Sequence, residues 1–329
     1  LARALSGEGI DVEAFALDAR TQPKNRAFSH SLWMGLPHRW QFLPQLAPTR
    51  IGYMVYEADV IPDVYRTVAE RTTRLWTASS FGVETIRAAG VRLPVDIVPG
   101  GIDPKVFHAH GRPLEERPWT FVAIGKAEAR KNYEGLLRAY GDAFTARDHV
   151  RLRILATGYD RGRWRLLHYL EDFRRTDAPR VELLDEVPDE VGVADLLRAS
   201  DVFVLPTHGE GWGLPILEAM ACGCCVITTN WSAPTDFVDP ANGLLLDYRL
   251  VKAYCPYFGR LFAGRSWAEP RVDQLVSYLR WTYENQDDAR ALGQRAALDA
   301  GALWTWKQAA VKAKQLLVAE HDPGRGTDR

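Results

Sequence analysis

The sequence predicts an α/β protein with two domains, each built around a parallel β-sheet. From about residue 120 onward, short apolar runs alternate with longer amphipathic runs, which is the pattern of βαβ units. The short runs are nearly continuous in Val, Ile and Leu, as expected of strands that are covered on both faces. A chain of 329 residues is long enough to form two domains with separate cores.

The C-terminal part gives the clearest succession of elements. The predicted strands are Trp119–Lys126, Val150–Gly158, Arg180–Val187, Asp201–Thr207, Cys225–Asn230 and Gly243–Tyr248. The predicted helices between them are Tyr133–Phe144, Trp164–Arg175 and Ala194–Ser200. Because each of these helices follows a strand, the pattern favours parallel pairing within one sheet.

The N-terminal part gives weaker signals. The predicted strands are 11–18, Arg50–Glu57, Thr73–Ser79 and Val95–Pro99, and the predicted helices are Pro62–Glu70 and Phe81–Ala89. The segment Thr21–Thr49 is rich in Pro, His and aromatic residues and has no assignment. The first residues read as a helix already under way, so we expect a truncated N-terminal domain that lacks its first strand and turn.

A change of composition marks the predicted domain boundary. The Pro- and Gly-rich segment Val98–Phe107 lies between the two αβ regions and is typical of a hinge. We therefore predict an N-terminal domain at residues 1–104 and a C-terminal domain at residues 105–303. The last predicted helix, Trp304–Glu320, has apolar positions three and four apart and is expected to pack against the N-terminal domain.

Charge and composition exclude several classes of protein. The formal net charge is -1, so no global field attracts nucleic acid, and nucleic acid is not expected as a partner. No apolar run reaches the roughly 18–20 residues of a membrane-spanning helix, and no signal peptide opens the chain. We predict a cytoplasmic protein and leave open a peripheral contact with the inner face of a membrane. The cysteines have neither disulfide-framework nor metal-site spacing and are expected to be buried thiols; they are Cys222, Cys224, Cys225 and Cys255.

The strongest functional signal is the segment His208–Gly223, HGEGWGLPILEAMACG. It follows a predicted buried strand and opens a helix, with Pro215 near the helix start. Glycines let backbone amides approach a ligand closely, and the amides at a helix N-terminus attract anions. The segment therefore predicts a pyrophosphate site at the carboxyl end of a strand.

Two carboxylates frame this segment. Glu210 and Glu218 are separated by seven residues. A carboxylate at Glu218, predicted in the first turn of the helix, can accept hydrogen bonds from the vicinal hydroxyls of a ribose, whereas Glu210 is expected to meet a sugar. A structural glycine turn followed by an acidic helix start is the alternative when the segment is considered alone.

A second cluster, Ala123–Asn132 (AIGKAEARKN), is basic. Lys126, Arg130 and Lys131 lie at the end of a predicted strand and before a helix. Cations at a helix N-terminus are unfavourable for that helix alone, so their presence indicates a bound anion, for which pyrophosphate is the natural candidate. A solvated basic turn is the alternative.

These motifs together resemble family 4 of the retaining glycosyltransferases (glycosyl transferases group 1), which have the GT-B fold. The resemblance rests on EGWGLPILEAMACG, GKAEARKN, VPGGIDPKVF and WAEP, and it runs from about Ile51 to Leu317. It implies two Rossmann-like domains with parallel sheets facing a cleft. It also implies that the nucleotide binds the C-terminal domain and that no metal is required, because basic side chains and a helix terminus neutralise the leaving diphosphate.

The resemblance also implies roles for individual residues. Those implied to act in the chemistry are Glu210, which contacts the transferred sugar, and the phosphate-binding Lys131 and Lys126. Those implied to hold the donor are the ribose-binding Glu218, together with Gly211, Trp212, Gly213, Leu214 and Arg130. Lys126 stands where the family usually has arginine, and an ammonium lacks the bidentate geometry of a guanidinium.

The function expected from the resemblance is retaining transfer of a sugar from a UDP- or GDP-sugar to an acceptor hydroxyl, in the synthesis of a polysaccharide, glycan or glycolipid. The partners are then a nucleotide-sugar donor and a glycan or lipid-linked acceptor, with no cofactor besides the donor. A nucleotide-sugar-binding protein without transferase activity is the alternative. His30, His38 and Glu57 are further candidates in the N-terminal domain. The aromatic and basic segment Tyr248–Trp267 predicts a packed insertion or a surface that faces acceptor or membrane.

Overall fold

The chain folds into two compact units. The computed structural model describes residues 1–13, 28–42, 45, 47–111, 117–158, 166–174, 177–256 and 258–319. The first unit combines Leu1–Gly101 with Trp304–Arg329, and the second is Ile102–Leu303. The division falls within three residues of the boundary predicted at residues 104 and 105.

The first unit contains a four-stranded parallel sheet in the order β1-β2-β3-β4. Its strands are β1 (His30–Trp33), β2 (Thr49–Tyr53), β3 (Arg74–Thr77) and β4 (Val95–Ile97). Its helices are α1 (Ala2–Gly7), α2 (Asp63–Ala69) and α3 (Ser80–Ala88), with a 3-10 helix at Pro37–Phe42. β1 and the 3-10 helix fall in the segment without a sequence assignment, and most of the strand predicted at 11–18 lies outside the described residues.

The last helix of the chain, α10 (Trp306–Ala319), belongs to this first unit. Its buried Ala310 and Ala313 pack with Leu5 of α1 and with Ile51 and Trp76 of the sheet. Small residues on this face let the helix approach the sheet closely, so the chain returns to its N-terminal unit at its end.

The second unit contains a six-stranded parallel sheet in the order β10-β9-β8-β5-β6-β7. Its strands are β5 (Trp119–Lys126), β6 (Val150–Thr157), β7 (Arg180–Leu183), β8 (Val202–Leu205), β9 (Cys225–Thr229) and β10 (Leu244–Leu246). The helices that cover it are α4 (Tyr133–Ala143), α5 (Glu190–Arg198), α6 (Leu214–Ala221), α8 (Val272–Glu284) and α9 (Gln286–Leu303). This is the strand order of a doubly wound, Rossmann-type sheet.

The strand order places a topological switch point between β5 and β8. β5 pairs with β6 on one side and with β8 on the other. The strands after β6 are added outward on the first side, and those after β8 are added outward on the second side. Open α/β sheets bind ligands in the crevice beyond the carboxyl ends of the strands at such a point. The basic turn follows β5 and the glycine-rich loop follows β8, so both predicted motifs lie at this crevice.

The segment Tyr248–Trp267 forms most of a separate hairpin. β11 (Tyr248–Lys252) pairs antiparallel with β12 (Ser266–Pro270), and the short helix α7 (Gly259–Phe262) lies between them. Trp267 and Phe262 are buried and their rings lie 5.7 Å apart, so aromatic side chains of the insertion pack against each other. Among the described residues, every helix is too short or too polar to cross a lipid bilayer.

Candidate functional site

The glycine-rich loop, His208–Gly213, is buried where β8 ends, and α6 begins directly after it. Gly213 caps α6 with φ = 99°, a left-handed conformation that favours glycine. Pro215 is the second residue of α6, where its missing N–H leaves no helical hydrogen bond unmade. The backbone geometry therefore confirms a tight turn directly before the helix, as the sequence predicts.

Three amides of this turn have unused donor capacity. Within the described part of the chain, the N–H groups of Gly211, Gly213 and Leu214 donate to no other residue. The neighbouring Glu210 amide is instead fixed by the Ser232 hydroxyl at 2.9 Å. Unpaired amides at a helix N-terminus form a partial positive charge that favours an anion.

A buried ion-pair cluster lies directly before these amides. Lys131 Nζ donates to both oxygens of Glu210, at 2.8 and 3.0 Å. Arg130 Nη1 lies 3.0 Å from Glu210 Oε2, and the Thr207 hydroxyl donates to Glu210 Oε1 at 2.8 Å. The structure thus brings together two residues of the basic turn and the first predicted carboxylate, across β5 and β8.

The cluster keeps Glu210 ionised. Burial alone raises the pKa of this carboxyl, but the Arg130 and Lys131 charges outweigh burial and lower its pKa to about 2. Burial lowers the pKa of the Lys131 ammonium, and Glu210 opposes that shift. A carboxylate between two cations is stable here because each charge is paired within hydrogen-bond distance.

The same cluster revises one argument from sequence. Arg130 also pairs with Glu128 at 3.3 Å, so two carboxylates compensate the two buried cations. The basic turn therefore does not by itself require a bound anion. Lys126 is exposed and, within the described residues, forms no ion pair, so its ammonium is the one of the three predicted cations that stays uncompensated.

Glu210 also has little remaining capacity to bind a sugar. An ionised carboxylate has roughly four acceptor positions, and the ammonium, the guanidinium and the hydroxyl occupy them on both oxygens. A sugar hydroxyl therefore has to compete with these partners for the oxygens of Glu210.

Glu218 has different surroundings. It lies in the second turn of α6, one turn further along than the sequence suggested. Burial raises its pKa to about 7, and the nearby Glu190 carboxylate adds to the rise. Neither Arg130 nor Lys131 contributes to that shift, so Glu210 and Glu218 do not share one set of cations. That both carboxylates contact one ligand stays a prediction.

Trp212 packs inside the second unit. Its ring is buried and lies 4.9 Å from the ring of Phe237. The side chain thus stabilises the loop, and the backbone of this residue is the part that can face a ligand.

Sequence reasoning missed His208. Its imidazole stacks on Trp267 of β12 at 4.7 Å and 8°, and Nδ1 lies 2.7 Å from the Ala268 carbonyl. The Ala268 amide donates back to the His208 carbonyl at 3.0 Å. Burial lowers the pKa of His208 and so favours the neutral ring. The stacking and the two backbone contacts attach the hairpin to the glycine-rich loop. The WAEP motif, which begins with Trp267, was the signal in the sequence that could have indicated this contact.

The remaining candidate residues of the first unit contact side chains of that unit. In the first unit, His30 contacts Ser29 and His38 stacks with Tyr65 at 6.5 Å. Burial is the main cause that raises the pKa of Tyr65, and the negative charge of Glu57 adds to it. The four cysteines in the second unit are buried and form no disulfide among the described residues, and burial raises the pKa of Cys222 to about 12.

Comparison with known proteins gives this geometry a family. Residues 118–262, which contain the basic turn, the glycine-rich loop and most of the hairpin, match the model of glycosyl transferases group 1. This segment is similar to the glycosyl transferases group 1 family. Among its relatives, the O-antigen chain mannosyltransferase B of Escherichia coli is 35% identical over 49% of this chain and 42% of its own length.

Solved structures agree with the GT-B assignment. Sucrose-phosphate synthase from Thermosynechococcus elongatus aligns with a TM-score of 0.69 at 18% identity, over 89% of this chain and 73% of that one. HepE from Anabaena, in complex with UDP-glucose, aligns with a TM-score of 0.65 at 14% identity, over 82% and 72%. The chain spans about half the length of the curated relatives that it matches.

Proposed function

We propose that this chain is a retaining glycosyltransferase that takes a sugar from a UDP- or GDP-sugar and transfers it to an acceptor hydroxyl of a glycan or lipid-linked saccharide. The observation that carries the proposal is the pairing of Glu210 with Lys131 and Arg130 directly before the unpaired amides of Gly213 and Leu214. The family match and the mannosyltransferase among the relatives support it.

The diphosphate is proposed to bind at the start of α6. The amides of Gly211, Gly213 and Leu214 would donate to its oxygens, and Lys126 would supply the uncompensated positive charge. When the diphosphate arrives, Lys131 can turn toward it and release an oxygen of Glu210. That oxygen can then accept a hydrogen bond from a hydroxyl of the transferred sugar.

Glu218 is proposed to hold the ribose. Its ionised form can accept two hydrogen bonds from vicinal hydroxyls, and ribose binding favours that ionised form although burial and Glu190 oppose it. In the reaction, the anomeric carbon–oxygen bond to the diphosphate breaks while a bond to the acceptor oxygen forms on the same face. The acceptor proton passes to the departing phosphate, so positioning and charge neutralisation are the protein's contribution.

A titration followed by a transfer assay tests the proposal. UDP, GDP and ADP are titrated into the chain by calorimetry, and the sugar nucleotide of the nucleotide that binds is then incubated with glycoside acceptors, with and without EDTA. We expect saturable binding of a nucleoside diphosphate and a product with the donor's anomeric configuration in both conditions. An inverted product contradicts retention, and loss of turnover with EDTA contradicts metal independence. Donor binding without transfer favours the binding-protein alternative.

A further inference from the structure

A second groove lies on the side of the C-terminal unit formed by α4, the hairpin β11–β12 and the start of α8. Its volume is about 510 Å³, and arginines from all three elements line it: Arg138, Arg249 and Arg271. No residue of the glycine-rich loop or of the basic turn lines it, so it is separate from the proposed donor site.

Two of these guanidinium groups have uncompensated charge. Arg138 and Arg249 are exposed and form no ion pair within the described part of the chain. Arg271, in contrast, is paired with Asp273 at 2.6 Å. The groove therefore presents two guanidinium groups outside any ion pair of the described residues, beside one lining carboxylate, Glu269.

The hairpin register shows why Arg249 stays uncompensated. Arg249 lies directly opposite Glu269 in the antiparallel ladder, a position at which opposite charges normally attract. Glu269 instead lies 3.8 Å from Nδ1 of His208, the residue that attaches the hairpin to the glycine-rich loop. Glu269 also lines the groove, but among the described residues it forms no ion pair with Arg249.

Size and chemistry together define the ligand. Guanidinium groups bind phosphate oxygens through paired hydrogen bonds, which favours phosphate over a point anion. A volume of about 510 Å³ is typical of a small-molecule site and far exceeds one phosphate. Tyr248, which is 38% exposed and also lines the groove, offers an aromatic face to a sugar-sized group.

We propose that this groove binds a phosphate group carried by a molecule about the size of a sugar phosphate, with Arg138 and Arg249 on the phosphate. The phosphate can belong to a soluble sugar phosphate or to a lipid headgroup, because both present the same group. The proposal goes beyond the transferase reaction and does not depend on it.

The experiment uses the full chain and two probes. Mannose 6-phosphate is titrated by calorimetry, and vesicles of equal parts phosphatidylcholine and phosphatidylglycerol are tested by co-sedimentation. The test variant is Arg138→Gln/Arg249→Gln. The matched control is Arg92→Gln/Arg147→Gln, which removes the same charge at exposed positions outside the groove.

For whichever of the two probes binds the wild type, we expect the affinity of the test variant to be at least about tenfold lower. We expect the affinity of the control variant to stay within about twofold of wild type. Binding of mannose 6-phosphate identifies a soluble source, and binding of the vesicles alone identifies a lipid source. Equal losses in both double variants, or no binding of either probe to the wild type, overturn the proposal. We expect nucleotide binding to be unchanged in the test variant, so failure here is distinguishable from failure of the proposed function.

Discussion

Replacing Lys131 with methionine tests the buried cluster, because methionine keeps most of the side-chain volume and removes the charge. Two unit charges 2.8 Å apart attract by about 6 kcal/mol at an effective dielectric constant of about 20. Desolvation consumes much of this attraction, yet removing one partner of a buried pair typically costs about 3–5 kcal/mol. Since Arg130 still contacts Glu210 at 3.0 Å, we expect Lys131→Met to lower the free energy of unfolding by about 2–3 kcal/mol.

Urea unfolding, followed by circular dichroism, measures this loss. The matched control is Lys126→Met, which makes the same substitution at an exposed position and is expected to cost less than about 0.5 kcal/mol. A double-mutant cycle with Glu210→Gln isolates the pair, and we expect a coupling energy of about 2 kcal/mol. A coupling energy below about 0.5 kcal/mol would refute the claim that this ion pair stabilises the site.

The ionisation of Glu210 adds a pH signature to the same variants. Its pKa is lowered from 4.5 to about 2 in the folded chain, so the stabilisation is complete above pH 4.5 and is lost as the pH falls toward 2. The shift corresponds to about 3 kcal/mol. Glu210→Gln should therefore show a shallower loss of stability than wild type across that window, and identical slopes would contradict the assigned charge.

Three further predictions concern the helices that frame the site. The pKa of Glu218 is raised to about 7, so nucleotide affinity should rise from pH 6 to pH 8, and Glu218→Gln should abolish the rise in a calorimetric titration. Gly213→Ala strains a left-handed residue and should cost about 1 kcal/mol or more in unfolding and weaken nucleotide binding; unchanged values would contradict the assigned turn. Gly293→Ala places a methyl group against the Gly223 carbonyl and should cost about 1–3 kcal/mol. Gly301→Ala, on the same helix, meets no atom within 4 Å and should be neutral or stabilising.

Local patterns predicted the second unit well because its strands are buried on both faces. β5 spans Trp119–Lys126, the bounds predicted from its unbroken apolar run. The predicted strands at Arg50–Glu57 and Thr73–Ser79 end earlier than expected, at Tyr53 and Thr77, because pairing with their neighbours in the sheet stops there. Hydrophobic pattern locates a strand, whereas the partner strand determines its length.

The parts that escaped prediction depend on tertiary contacts. Helices α8 and α9 were not assigned, and α9 buries mainly small residues, among them Ala289 and Gly293, which give little periodic signal. That Glu128 and Glu210 compensate Arg130 and Lys131 depends on how β5 and β8 pair, which spacing along the chain does not reveal.

A crystal structure of the chain with the nucleoside diphosphate selected by calorimetry would test the donor site most directly. We expect diphosphate oxygens within about 3 Å of the Gly213 and Leu214 amides, and ribose hydroxyls on Glu218. We also expect Lys131 to have turned from Glu210 toward the phosphate. A diphosphate bound away from the start of α6, with the Lys131–Glu210 pair intact, would contradict this expectation.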